Sequence, residues 1–175
     1  MSGGSVSNVI LGGVQIALSS AFDLSQSYSV LGGDQLLRML DGSGVKQQQW
    51  NKIATTITGN GALPVGLDEI DFSLALVLSC GAPRGVTSTS TTIVLPPGRR
   101  SDPGFEETGF ALVGNDWVST SIGIVIDTVT LVNPGGATAF RVEYFPEITV
   151  FARPPDIGDA VRGREFTWTI NAEEI

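Results

Sequence analysis

The 175-residue chain has no histidine and a single cysteine, Cys80. Without imidazole there is no Ser-His-Asp or Cys-His constellation and no histidine-based zinc site. Both need a ring nitrogen that titrates near neutrality or ligates a metal. A lone thiol makes neither an internal disulfide nor a cysteine metal site. Charge is scarce as well, at 16% of residues, against roughly 25% in an average domain. Ten basic residues face eighteen acidic ones, for a net charge of −8. So few cations argue against a duplex-binding surface, which needs clustered Lys and Arg. No apolar run, Leu74 to Leu78 included, approaches the ~20 residues of a membrane helix. The opening MSGGSVSNVI lacks the basic stretch and apolar run of a secretory signal, so synthesis in a reducing cytoplasm is expected. Motifs for phosphate cradling and nucleophile elbows are also missing: no glycine-rich segment ends in Gly-Lys-Ser/Thr, and Gly-x-Ser-x-Gly does not occur.

What is present is a hydrophobic content of 42% and 22 glycines, with Ser and Thr filling the place of charge. Length and composition fit one domain over 1–175, with a flexible N-terminus at about 1–8. Period-two alternation recurs. Phe72, Leu74, Leu76, Leu78 and Cys80 share one face of a predicted strand, which makes Cys80 a small core hydrophobe. Phe166, Trp168 and Ile170 form another such face. Ile122–Val132 and Thr138–Tyr144 flank Asn133-Pro134-Gly135-Gly136-Ala137 and read as a hairpin. Ile148–Phe151 follows Pro146, a bulge or edge signal. Further strands are expected at Val14–Leu18, Phe22–Val30 and Thr91–Leu95. Asp34–Leu40 fits a helix by its possible cap, but it runs into Asp41-Gly42, a hairpin signal, and is read as a strand paired with the stretch beyond that turn. Turn signals every 8–15 residues predict an all-β fold, an antiparallel sandwich or barrel with at most one short helix. Pro96–Gly109 is predicted to be a long exposed loop.

Candidate chemistry is thin. Asp68, Glu69 and Asp71 could form half of a Ca²⁺ site or a glycosidase pair, or simply lead acidic residues into a strand. Arg99, Arg100 and Asp102 could hold a phosphate or carboxylate, sit solvated, or pair with a neighbouring subunit. Trp117 beside Asn115 and Asp116 is the most lectin-like element, and the basis for an alternative reading as a β-sandwich carbohydrate-binding module. A carboxylate-based glycoside hydrolase is a more distant alternative. No catalytic, cofactor-binding or metal-binding residue is assigned.

Val45–Thr58 is harder to place. As a strand it puts Val45, Gln47, Gln49, Asn51, Ile53, Thr55 and Ile57 on one face, with its first half polar on both. At ~3.3 Å per residue it would span roughly 46 Å, well beyond the common ~17–20 Å. It is either a short strand from Lys52 preceded by a loop, or a long strand that pairs with a neighbouring subunit or lines a wet channel.

The segments LLRMLDGSGVKQQQW, TTITGNGALPVGLDEIDFS, CGAPRG, FRVEYFPEITVFARPP and EFTWTINAEE cover most of residues 35–174. Together they resemble the tail tube proteins of long-tailed bacteriophages and their baseplate relatives. The resemblance implies a β-sandwich that assembles as stacked hexameric rings, an inner barrel built from long strands of six subunits, and passage of double-stranded DNA without specific binding. It implies a virion tail protein, assembled in the bacterial cytoplasm, with tape-measure, terminator and baseplate proteins as partners and no membrane or cofactor. A distal tail or baseplate ring protein is the alternative within the same fold. On this resemblance Arg38, Lys46, Gln47, Gln48, Gln49 and Trp50 lie in a hairpin at a subunit interface or the lumen, and Arg99, Arg100 and Asp102 in an inter-ring loop.

Overall fold

The structure, a computed structural model, describes residues 9–16, 24–61, 63–160 and 165–175. The expected flexible N-terminus and the expected strand residues 17–18 and 22–23 lie outside these. The fold is nearly all-β with antiparallel pairing throughout, and one 3-10 turn at Leu67–Glu69 is described. Contacts divide the described chain into two compact units, residues 79–148 on the one hand and residues 9–78 with 149–175 on the other.

The second unit is organised by one large sheet. Its strands are β1 (Val9–Leu11), β2 (Val14–Ile16), β3 (Ser25–Arg38), β4 (Gly44–Asn60), β5 (Leu76–Ser79), β13 (Glu147–Ala152), β14 (Asp156–Ala160) and β15 (Glu165–Glu174), in the order β2-β1-β5-β13-β15-β4-β3, with β14 also on β15. The register places Thr55, Ile57 and Gly59 of β4 opposite Ala172, Ile170 and Trp168 of β15. All six are buried. Residues directly opposite in an antiparallel pair share a face, so this is the core face. The other face carries Thr56, Thr58, Thr167, Thr169 and Asn171, and Thr56 and Asn171 share a hydrogen bond of 3.0 Å. Polar alternation on one face is what lets the sheet bury only the other.

The first unit is a sandwich of two smaller sheets. One has β6 (Arg84–Ser88), β12 (Ala137–Tyr144), β8 (Thr108–Val113) and β9 (Asp116–Thr120), and the other has β10 (Ile122–Val125), β11 (Thr128–Leu131) and β7 (Thr92–Val94). Ile93, Val129 and Leu131 of the second pack against Ala111, Phe140, Val142 and Tyr144 of the first. Gly109 of β8 is required by this packing: a Cβ there would lie 2.3 Å from Ile122 Cγ2 and 3.1 Å from Leu131 Cδ2.

Two sequence expectations are corrected. Ile122–Val132 does not pair with Thr138–Tyr144. It folds on itself as β10–β11 around Ile126, and both edges of β12 are taken by β6 and β8. Asn133–Gly136 instead carries the chain from one sheet to the other, with Gly135 and Gly136 at positive φ. Glycine-rich turn chemistry serves either connection equally, so local signals do not separate them. The strand expected from Phe72 begins only at Leu76. The Asp71 carboxylate accepts from both the backbone N–H and the hydroxyl of Ser73, which turns the chain there and leaves Leu74 exposed. Leu76, Leu78 and Cys80 are buried as the alternation requires.

Trp168 lies against Gly59, its register partner: a Cβ on Gly59 would sit 2.3 Å from Trp168 Cζ2. Gly59→Ala is therefore expected to destabilise the protein by about 1–3 kcal/mol through overpacking. Urea unfolding should show this as a lower midpoint with an unchanged slope.

Candidate functional site

β4 is one continuous strand, so the segment is a long strand and not a short one preceded by a loop. Its partner β3 joins the two expected strands Phe22–Val30 and Asp34–Leu40 through a register shift between Gly32 and Asp34. The turn between them is Met39–Ser43. Gly42 takes φ +83° and donates to Met39 O, Met39 donates to Ser43 O, and the Asp41 carboxylate accepts from the Ser43 N–H and hydroxyl. Those two bonds, the hydroxyl's first, hold the Asp41 carboxyl below its usual range. Arg38 Nη1 donates to Gly42 O and closes the tip from the other side.

The hairpin changes character along its length. In β4 the residues from Ile53 to Gly59 alternate between buried and half-buried, whereas Gly44–Asn51 are exposed without alternation. Because the register shift adds a residue to β4, Gln35, Leu37, Val45 and Gln47 continue the polar face of Ser27 and Thr56, and Gly33, Gln35, Gln47 and Gln49 line a shallow recess of about 190 Å³. On the face that continues the core lie Leu36, Arg38, Lys46 and Gln48, while Trp50 lies over Gly33 on the polar side. The sequence-predicted set Arg38, Lys46, Gln47, Gln48, Gln49 and Trp50 is thus gathered on one exposed arm but divided between its two faces. Sequence reasoning passed over the apolar residues there: Leu36, Leu37, Met39, Leu40 and Val45 are all exposed, Leu40 completely. The run Leu36-Leu37-Arg38-Met39-Leu40 beside Asp41-Gly42 was the available signal, because a hairpin cannot bury apolar side chains on both faces and at its turn.

Arg99, Arg100 and Asp102 lie in a segment without a regular strand, as expected for a loop, but the segment is not exposed throughout. Arg100 is 2% exposed and Phe105 is buried. The Arg100 guanidinium donates from Nε and Nη2 to the two Asp102 carboxylate oxygens (2.9 and 2.5 Å) and from Nη1 to Cys80 O (2.9 Å). Its plane stacks 3.4 Å from the centre of the Phe105 ring, which meets Phe145 edge-on. Arg99 bonds Glu107, Asp127 and the carbonyl of Ile126, a β-branched residue held at φ +55°. Each arginine is committed within the chain, as a clasp that holds the loop down. Neither presents an open fork to a phosphate.

Asn115, Asp116 and Trp117 are exposed at the β8–β9 turn. Asp68 and Glu69 are exposed on the 3-10 turn, while Asp71 is engaged by Ser73. Among the described residues no group of three or more His, Cys, Asp or Glu is gathered to hold a metal ion, and no helix is long and apolar enough to cross a membrane. No protein-family model and no curated protein sequence matches the chain.

The Arg100 bonds keep the Asp102 carboxyl below its ordinary value of 3.8. A depressed carboxyl contributes stability that is present above the unfolded pKa and is lost as pH falls through the folded one. Asp102→Asn is therefore expected to cost about 1–3 kcal/mol at pH 7, since it leaves a buried guanidinium without its counter-charge. The gap to wild type should close as the pH is taken below 3.8, which parallel urea titrations at several pH values measure.

Proposed function

We propose that this chain is a structural subunit of a bacteriophage tail, whose copies close into hexameric rings that stack as a tube for DNA delivery. The observation that carries this reading is the distal half of the β3–β4 hairpin, which has exposed residues on both faces and an apolar tip. A two-stranded hairpin is marginal alone in water, and exposed apolar clusters of this kind mark association surfaces. Neighbouring copies would supply the missing cover.

Sheet geometry supports the same reading. Among the described strands β3 is the last of the large sheet, with β4 on one side along Ser25–Arg38. It has no proline or lysine to blunt it, so a strand from another copy can add there. The polar face of this sheet, with Ser25, Ser27, Ser29, Thr56, Thr58, Thr167, Thr169 and Asn171, would suit a lumen. Neutral hydroxyls and amides give phosphates no cation to grip, and the overall negative charge repels a duplex, which then slides rather than binds. Arg38 and Lys46 sit on the arm, away from the threonine-rich stretch. No cofactor or catalytic step enters this function.

Negative-stain microscopy of the purified chain should show rings or tubes. Leu36→Asp with Leu40→Asp is expected to abolish them while changing the unfolding free energy by less than about 0.5 kcal/mol, the usual range for exposed positions. Gln47→Pro with Gln49→Pro should likewise block assembly more than it unfolds the subunit. Equal loss of assembly and of folding in both double variants contradicts the proposal.

A further inference from the structure

The exposed arm joins the packed half of its hairpin at a specific structural device. The β3–β4 register shifts between Gly32 and Asp34, where two residues of β4, Gln49 and Trp50, lie opposite the single residue Gly33, so the extra residue of the bulge belongs to β4. The bulge sits near the end of packing in β4: Ile53 and Lys52, the partners of Val30 and Leu31, are half-buried, and the all-exposed run begins at Asn51. Two consecutive residues without side chains occupy this boundary.

Gly33 is not there for its backbone freedom, since its φ lies outside the left-handed region. It is there for clearance. A Cβ on Gly33 would lie 2.3 Å from Trp50 Nε1, 2.6 Å from Cε2 and 2.8 Å from Cδ1, so the indole lies directly on the glycine backbone. Trp50 is 46% exposed, within the stretch of β4 that has no buried residue. A large aromatic side chain is thereby used to cover one glycine at a bulge. Bulges bend a strand and re-aim the residues beyond them, and an aromatic laid across the bend fixes the direction in which it points.

We propose that Gly32–Gly33 is the hinge of the β3–β4 arm and that the Trp50 indole, seated on Gly33, is the latch that fixes the arm's direction in the unassembled subunit. The need for such steering rests on the self-assembly proposed above: an arm held in one direction meets a neighbouring copy without first losing its own conformational freedom. The latch itself is a property of the single subunit and is tested there.

Spin labels on Leu40→Cys at the arm's tip and Thr167→Cys on exposed β15 report the arm's direction as a distance distribution in the dilute, unassembled protein. Cys80 is fully buried and does not compete for label. The wild-type background should give one narrow distribution. Gly33→Ala, which displaces the indole, and Trp50→Ala, which removes it, should each broaden the distribution about twofold or more, as expected of a freed hinge. Gly44→Ala is the control on the same arm, because its Cβ would meet only Leu36 Cδ1 at an ordinary 3.7 Å; it should leave the width unchanged. A wild-type width in both Gly33→Ala and Trp50→Ala overturns the latch, and so does equal broadening in Gly44→Ala. A chain that never forms rings but broadens in this pattern keeps its hinge while losing the assembly reading, so the two stand or fall separately.

Discussion

β4 is hydrogen-bonded on both sides only over part of its length, and the large sheet is organised around that difference. From Ala54 to Thr58 it lies between β15 and β3, with Thr55, Ile57 and the following Gly59 turned into the core. From Gly44 to Ile53 it keeps β3 alone. The first stretch is anchored by two ladders and by the packing of Trp168 on Gly59. The second has a single ladder and a tip bound by Asp41, Ser43 and Arg38. One strand therefore serves as a core element at one end and as a projecting arm at the other. Two aromatic-on-glycine contacts, Trp168 on Gly59 and Trp50 on Gly33, mark its anchored part and its bend.

Elsewhere polar side chains are spent internally. Arg99 and Arg100, the obvious cations of the 96–109 segment, are consumed by Asp102, Glu107, Asp127 and backbone carbonyls. With its cations so engaged, that segment leaves little positive charge to attract nucleic acid. The polar face of the large sheet is made of hydroxyls and amides. The arm, by contrast, exposes the apolar side chains of Leu36, Leu37, Met39, Leu40 and Val45. A chain that engages these arginines internally and leaves an apolar-tipped arm uncovered fits the proposed self-assembly better than binding of a soluble ligand.

Much of this was legible in the residues. Alternation placed Leu76, Leu78, Cys80, Trp168 and Ile170 inside, and Asp41-Gly42 marked the hairpin turn. The continuous β4 could be written down but not chosen over its alternative, because a polar strand and a polar loop look alike until a partner strand is known. What stayed hidden depended on distant partners. Asn133–Gly136 fits a hairpin or a crossover equally, and only the occupation of both β12 edges decides. Arg100 reads as a surface residue until Asp102, Phe105 and the Cys80 carbonyl converge on it. Gly33 reads as a weak strand position until Trp50, seventeen residues on but adjacent across the ladder, is seen to lie on it.

The central claim is that the uncovered arm is completed by other copies of the chain. Sedimentation velocity across a wide range of protein concentration tests it most directly, because it reads mass without a surface or stain. The 18.3 kDa monomer is expected to give way with rising concentration to a sixfold species and its multiples. A strict monomer at the highest attainable concentration would contradict it.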